Sequence, residues 1–264
     1  MLDLQLEDKH VVITGGASNI GRGITHCFAE QGAAVTIVDL DVEKAESTRR
    51  EAIELGATSC VVLEADLGEP ERCSQAIAQA AEAAGGIDVL INNMGWGDPS
   101  LFLDSDPARW DRMWRLNLGA TIGCSHAALA LMREQWRGAV VSIASDAAQG
   151  VPNQAVYGAV KAGIVALTKA LAREFGRYNI RINAIAPGIV LPTSDDDAGS
   201  GSIWRQTQTV LTDKQIKETY QLSALRRATH ARDIGNAALF FASDAIARQV
   251  TGQIVSVSGG WWMP

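Results

Sequence analysis

Cysteine and histidine are scarce, with four of each in 264 residues, and neither is grouped. Cys27, Cys60, Cys73 and Cys124 show no paired spacing, which argues against a zinc site or a disulfide framework and leaves them as small apolar fillers. His10, His26, His126 and His230 lack ligand spacing too, so metal-dependent chemistry is disfavoured. Also missing is an unbroken apolar run long enough to cross a bilayer. The start, MLDLQLEDKH, has no basic stretch followed by an apolar one, as a signal peptide would. The expectation is a cytoplasmic protein with no membrane partner. Basic residues are dispersed, and a net charge of −7 opposes a nucleic-acid surface. No repeat, composition break or long linker divides the chain, which reads as a single domain, 1–264.

What is present is a large apolar content, 47% hydrophobic residues, enough to fill a substantial core. Short β-rich runs (HVVIT, AAVTIVD, SCVVLEAD, IDVLINN, GAVVSIAS, IRINAIAP and GQIVSVSGG) alternate with segments of helical apolar spacing, such as VEKAESTRREAIELG. The runs are nearly continuously apolar, as in parallel strands covered on both faces. The pattern predicts an α/β, doubly wound Rossmann fold with about seven parallel strands and helices on both faces. One long stretch without a clear strand, about 189–229, reads as a loop plus one or two helices and is a candidate substrate lid.

TGGASNIG, residues 14–21, follows the first strand and opens the first helix, the arrangement of a phosphate-cradling turn. Its candidate cofactor contacts are Gly15, Ser18, Asn19, Ile20 and Gly21. Asn19 stands where a glycine is expected. Asn enters left-handed backbone conformations most readily of the other residues, and it can also cap a helix, so a positive φ at Asn19 is expected. Asp39 ends the second strand, 24 residues beyond Gly15, where a carboxylate can bind ribose hydroxyls and would repel a 2′-phosphate. NAD is therefore the expected cofactor.

Tyr157 and Lys161 lie four positions apart in a helical segment, about 40° apart around its axis, so both can face one cleft. A phenol ordinarily titrates near 10 and is a poor base at neutrality. A neighbouring ammonium would favour its phenolate, making Tyr157 an acid/base candidate.

Five motifs in order, TGGASNIG, NNMG at 92–95, the Asn of RLNLGA, VSIAS before QAVYGAVKAG, and RINAIAPG, resemble those of the short-chain dehydrogenases/reductases across residues 7–260. Three departures stand out: Asn19 for the usual middle glycine, Met94 for the usual alanine, and Ser145 placed 12 rather than 13 residues before Tyr157. The resemblance implies a catalytic set of Asn117, Ser145, Tyr157 and Lys161. In it Ser145 binds the substrate oxygen, Lys161 also holds the nicotinamide ribose, and Asn117 anchors a proton-relaying water. Further cofactor contacts implied are Asp66 and Leu67 near the adenine, Asn93 and Gly95 behind the ribose, and Pro187, Gly188, Val190 and Thr193 near the carboxamide. The resemblance also implies a homotetramer, with the C-terminal Trp261 and Trp262 near a neighbouring subunit's site.

Of seven tryptophans, Trp110, Trp114 and Trp136 sit in helical patterns and read as core or interface anchors, while Trp96 and Trp204 are candidates to line an apolar substrate site. The expected activity is NAD-dependent interconversion of a hydrophobic secondary alcohol, alicyclic, aromatic or terpenoid/steroid-like, and its ketone. Two alternatives stay open: a 3-oxoacyl-thioester reductase of the same family, and a non-catalytic NAD-sensing or scaffold protein.

Overall fold

A computed structural model describes residues 3–192, 197–198, 218 and 220–263. Most of the candidate lid, with Thr193 and Trp204, lies outside the described residues. Seven strands, β1 (His10–Thr14), β2 (Ala34–Asp39), β3 (Ser59–Glu64), β4 (Val89–Asn92), β5 (Gly138–Ile143), β6 (Ile180–Pro187) and β7 (Ile254–Val257), form one sheet in the order β3-β2-β1-β4-β5-β6-β7. Every pairing is parallel. The helices that bear on the site are α1 (Asn19–Ala29), α2 (Val42–Glu54), α3 (Pro70–Ala84), α4 (Pro107–Trp114), α5 (Ala120–Gln135), α6 (Ala155–Phe175) and α7 (Ala231–Ala242).

Two-residue alternation sorts the strand side chains onto two faces. Val11, Ile13, Val35, Ile37, Val89, Ile91 and Val141 pack with Ile24, Phe28 and Phe241 of α1 and α7. Val12, Val38, Leu90 and Val140 turn the other way, onto Ile77 of α3 and Leu129 and Met132 of α5. Each such aliphatic side chain, fully buried, contributes roughly 1.5–3 kcal/mol, which is why strands without a polar face are stable only inside this sandwich. α6 is long and apolar enough to cross a membrane; here it lies along the sheet, burying Val160, Ile164 and Ala172.

The chain order reverses between β1 and β4, and a crevice opens outside their carboxyl ends. Loops following β1, β2, β3, β4, β5 and β6 all reach it.

Candidate functional site

A cavity of about 640 Å³ occupies the crevice. Its floor is the turn after β1. Gly15 has φ +62° and donates its N–H to the Val38 carbonyl at 2.8 Å. Asn19 has φ +40°, the left-handed conformation expected of it. Its side chain does not cap α1, however: Nδ2 reaches across to the Val190 carbonyl at 3.3 Å, while the backbone N–H donates to the Asp197 carbonyl at 3.0 Å. Ser18 takes the N-cap position without a side-chain hydrogen bond. Gly21 is required by close approach, since an added Cβ would run into the Gly15 carbonyl group, 2.9 Å from its carbon, and would sit 2.7 Å from Asn93 Nδ2.

Asn93 is what ties this turn to β4. Its Nδ2 donates to the Gly15 carbonyl at 2.7 Å and the Thr14 carbonyl at 3.1 Å. Thr14 Oγ1 in turn accepts from the N–H groups of Asn93 and Met94 at 3.0 and 3.1 Å. Asn93 thus acts mainly by shaping the floor, although it also reaches the cavity wall.

Asp39 stands at the end of β2 on that wall. Its Oδ2 accepts from Ala17 N–H at 3.1 Å and its Oδ1 from Asp41 N–H at 3.1 Å. Burial raises its pKa above the ordinary carboxylate value, and these backbone donors pull the other way. Asp66 accepts from Gly68 N–H at 2.9 Å and borders the cavity with the buried Leu67.

The reactive end is built from α6, the β5 loop and the junction of α4 and α5. Between those helices, Arg115–Gly119 forms one wide π turn. Such a turn breaks the regular i→i−4 pattern and commonly occurs at functional sites. Here the Asn117 side chain donates from Nδ2 to the carbonyls of Met113 at 2.8 Å and Trp96 at 2.7 Å. Its Oδ1 is buried and has no hydrogen-bond partner among the described residues. Lys161, only 2% exposed, donates from Nζ to the Ile143 carbonyl at 2.8 Å. Asn117 Oδ1 and Lys161 Nζ converge on Gly95, lying 2.7 and 3.4 Å from where its Cβ would be. A glycine there leaves open the space into which both polar atoms point.

Tyr157 lines the cavity one turn before Lys161, its ring centroid 5.6 Å from Nζ and its edge against Gly97. The Ser145 hydroxyl is near enough to favour the ionised phenol, and its Oγ accepts from Ala147 N–H at 3.1 Å. The shorter Ser–Tyr spacing is therefore accommodated by the intervening loop, which turns at Gly150 (φ +96°) and Asn153 (φ +64°). The pairing of Tyr157 with Lys161 does not by itself lower the phenol, contrary to the expectation from spacing. Burial pushes Tyr157 up to about 12, with the Ser145 hydroxyl opposing, and pushes Lys161 down to about 7. Both groups are desolvated together, and Nζ spends a hydrogen bond on Ile143 rather than on the phenol.

Ser18, Ile20, Gly95, Pro187 and Gly188 also border the cavity. Val190 does not: it is 4% exposed, bridged to Thr229, and acts through the hydrogen bond to Asn19. Trp96 is on the wall as expected, 8% exposed, with the Arg112 guanidinium stacked 4.5 Å from its ring centroid. Trp114 and Trp136 are 52% and 62% exposed and so are not core. Trp110 stacks on Phe102 at 5.9 Å between centroids. Lys44, Arg112, Arg115 and Leu116 are wall residues that motif reading missed; Arg112 and Leu116 stand five and one positions before Asn117, out of phase with it on a regular helix, so helical phase did not mark them.

The donor set suits a dinucleotide. A glycine turn at a helix N-terminus can meet a pyrophosphate, Asp39 can accept from ribose hydroxyls, and Lys161 and Asn117 Oδ1, behind Gly95, could hold the polar groups of a nicotinamide nucleoside.

Residues 15–262 match the profile of a family described as Enoyl-(Acyl carrier protein) reductase. The chain is 34% identical over 259 residues to the (2S)-[(R)-hydroxy(phenyl)methyl]succinyl-CoA dehydrogenase subunit BbsD of Thauera aromatica, with 97% of each chain covered. It is 33% identical over 256 residues to the 3-oxoacyl-[acyl-carrier-protein] reductase FabG of Chlamydia muridarum, covering 97% of this chain and 98% of the relative. Among solved structures it is similar, with a TM-score of 0.87 and 31% identity, to a 7 alpha-hydroxysteroid dehydrogenase complexed with NADH and 7-oxo glycochenodeoxycholic acid, covering 98% and 96% of the two chains.

Proposed function

The chain belongs to the short-chain dehydrogenase/reductase family of nicotinamide-dependent oxidoreductases, and from that premise we propose that it interconverts a hydrophobic secondary alcohol and its ketone with NAD, using Tyr157 as acid/base. The observation that carries this reading is that Tyr157 lines the cavity with Lys161 Nζ 5.6 Å from its ring centroid, while Nζ and Asn117 Oδ1, both buried, converge behind Gly95 on the cavity wall. When bound, the nicotinamide group accepts or donates the hydride. Ser145 holds the substrate oxygen, and Tyr157 takes the hydroxyl proton in oxidation or supplies it in reduction. Lys161, pushed down to about 7, can hold or release a proton near neutrality, and Asn117 Oδ1 offers an acceptor beside it. Trp96 supports an apolar substrate. The test is a spectrophotometric screen for NADH formation over cyclic, aromatic and terpenoid secondary alcohols, repeated with NADP; tight NAD binding without turnover of any of them would favour a non-catalytic role.

Asp39 supports NAD over NADP. A 2′-phosphate beside it would meet like charge in a half-buried site, a penalty of several kcal/mol. Replacing Asp39 with Ser is expected to raise kcat/KM with NADP relative to NAD by about tenfold or more, each tenfold being about 1.4 kcal/mol. An unchanged ratio would remove this argument.

A second reading, reduction of a 3-oxoacyl thioester, draws support from the acyl-carrier and CoA substrates in the relatives' names and from Arg112 and Arg115 on the cavity wall, which could meet phosphates. Turnover of a 3-oxoacyl thioester well above that of any simple ketone would decide for it. We also propose a homotetramer in the cytoplasm: Ile122 on α5 and Trp114 on α4 are 44% and 52% exposed, an apolar surface suited to helix packing between subunits. Light scattering should give four times the chain mass, and a monomer would refute the assembly.

A further inference from the structure

Immediately after Ser145 stands a carboxylate that neither the motifs nor the proposed chemistry uses. Asp146 is 1% exposed. Ser256 of β7 donates from Oγ to its Oδ1 at 2.9 Å and lies 3.1 Å from its Oδ2. Ser258 Oγ is joined to Ser256 Oγ at 2.9 Å and also favours the ionised carboxylate. No ion pair with Asp146 occurs among the described residues, and no neighbouring charge contributes to its titration. Burial raises its pKa above the ordinary carboxylate value, while the two serine hydroxyls favour the ionised form.

An isolated buried anion is expensive, and such groups tend to have a task. The geometry indicates which. The carboxylate lies behind Gly188: a Cβ there would be 3.9 Å from Asp146 Oδ2 and 2.8 Å from Ser258 Cβ. Gly188 N–H donates to the Val257 carbonyl at 3.3 Å, and Gly188 borders the cavity beside Pro187, Ser145 and Tyr157. Asp146 thus puts a negative charge just beneath the wall at the nicotinamide end, screened from water by the β7 serines.

We propose that Asp146 is a redox-state selectivity determinant, its buried charge favouring the positively charged oxidised pyridinium over the neutral dihydropyridine in the same pocket. The inference rests on the dinucleotide-binding reading above. An oxidised ring gains attraction from this anion across low-dielectric protein, and a reduced ring gains none. The effect is one of differential binding: it shifts the pocket's preference toward the oxidised coenzyme and, within the bound complex, makes hydride uptake by the ring less favourable.

The test measures dissociation constants for NAD+ and NADH separately, by calorimetry and by NADH fluorescence, at pH 8. Wild type is compared with Asp146→Asn, which keeps shape and loses charge, with Asp146→Ser, a second neutral variant, and with Ser256→Ala, which keeps the charge and removes one of its donors. Near-UV circular dichroism and melting temperature establish which neutral variants fold. Folded neutral variants are expected to weaken NAD+ binding about tenfold relative to NADH, and Ser256→Ala to leave the ratio within about twofold of wild type. Equal changes in both constants, no change in either, or a Ser256→Ala shift as large as that of Asp146→Asn would overturn the proposal. If wild type bound NADH and NAD+ normally and the ratio stayed put, only this inference would fall; if wild type bound neither form, the dinucleotide reading would fall with it.

Discussion

Tyr157→Phe is expected to fold, to bind NADH with nearly wild-type affinity and to lose on the order of 10²–10⁴-fold in kcat, the range associated with removing a positioned acid/base. At about 1.4 kcal/mol per tenfold, that is roughly 3–5 kcal/mol of transition-state stabilisation. The selectivity of the effect follows from how the side chain is held. The ring packs against Gly97 and faces Lys161 Nζ from 5.6 Å, and Phe preserves both contacts. What disappears is one oxygen, with its interaction with the Ser145 hydroxyl. Because burial already disfavours ionisation of that oxygen, pushing it up to about 12, its removal should cost little stability. Steady-state rates beside melting temperature and NADH fluorescence would check this; retention of more than a few per cent of activity by a folded, cofactor-bound variant would remove Tyr157 from the chemistry.

Gly21→Ala should produce the largest loss in cofactor affinity from the smallest added volume. The new Cβ would meet the Gly15 carbonyl group and stand 2.7 Å from Asn93 Nδ2, which itself holds the Gly15 carbonyl at 2.7 Å. A Cβ has no rotamer by which to escape, and the obstacle is backbone. The turn must therefore open, and with it the N-terminal end of α1 that meets the pyrophosphate. Expected are a loss of roughly 1–3 kcal/mol in stability, as for overpacking of a tight site, and dinucleotide affinity lowered on the order of a hundredfold, as measured by denaturant unfolding and calorimetry. Gly176→Ala is the control, since nothing lies within 4 Å of its added Cβ; surface changes of this kind usually stay within about 0.5 kcal/mol. If the two variants behaved alike, close approach would not be what requires Gly21.

Much of the architecture was legible because its determinants are local. A run such as HVVIT, with three consecutive aliphatic residues and so no polar face, must be covered on both sides, and IRINAIAP is strand from Ile180 to Pro187 as read. Asn19 is another local case: the steric preference for φ > 0 belongs to the residue, and Asn is among the few that tolerate it. Where its side chain then went was not local, because the acceptor, the Val190 carbonyl, comes from the far side of the sheet. Asn93 shows the same division. The sequence marks it as a motif residue, but its work of fastening Gly15 depends on β1 and β4 being neighbours. Cys73 and Cys124 look unrelated along the chain, yet both are buried in one apolar cluster where α3 meets α5.

Residue order and chemistry alone determined the parallel sandwich, the glycine turn and the four-residue pairing of Tyr157 with Lys161, since each depends on backbone sterics, apolar periodicity or helical phase within a few positions. Only the tertiary structure decided that Lys161 is buried against Ile143, that Asn117 turns inward through a π turn with one oxygen unmet, and that Asp146 sits as a solitary anion beneath Gly188. Those outcomes depend on desolvation and on distances between segments brought together by the sheet order, and neither quantity exists until the chain has closed on itself.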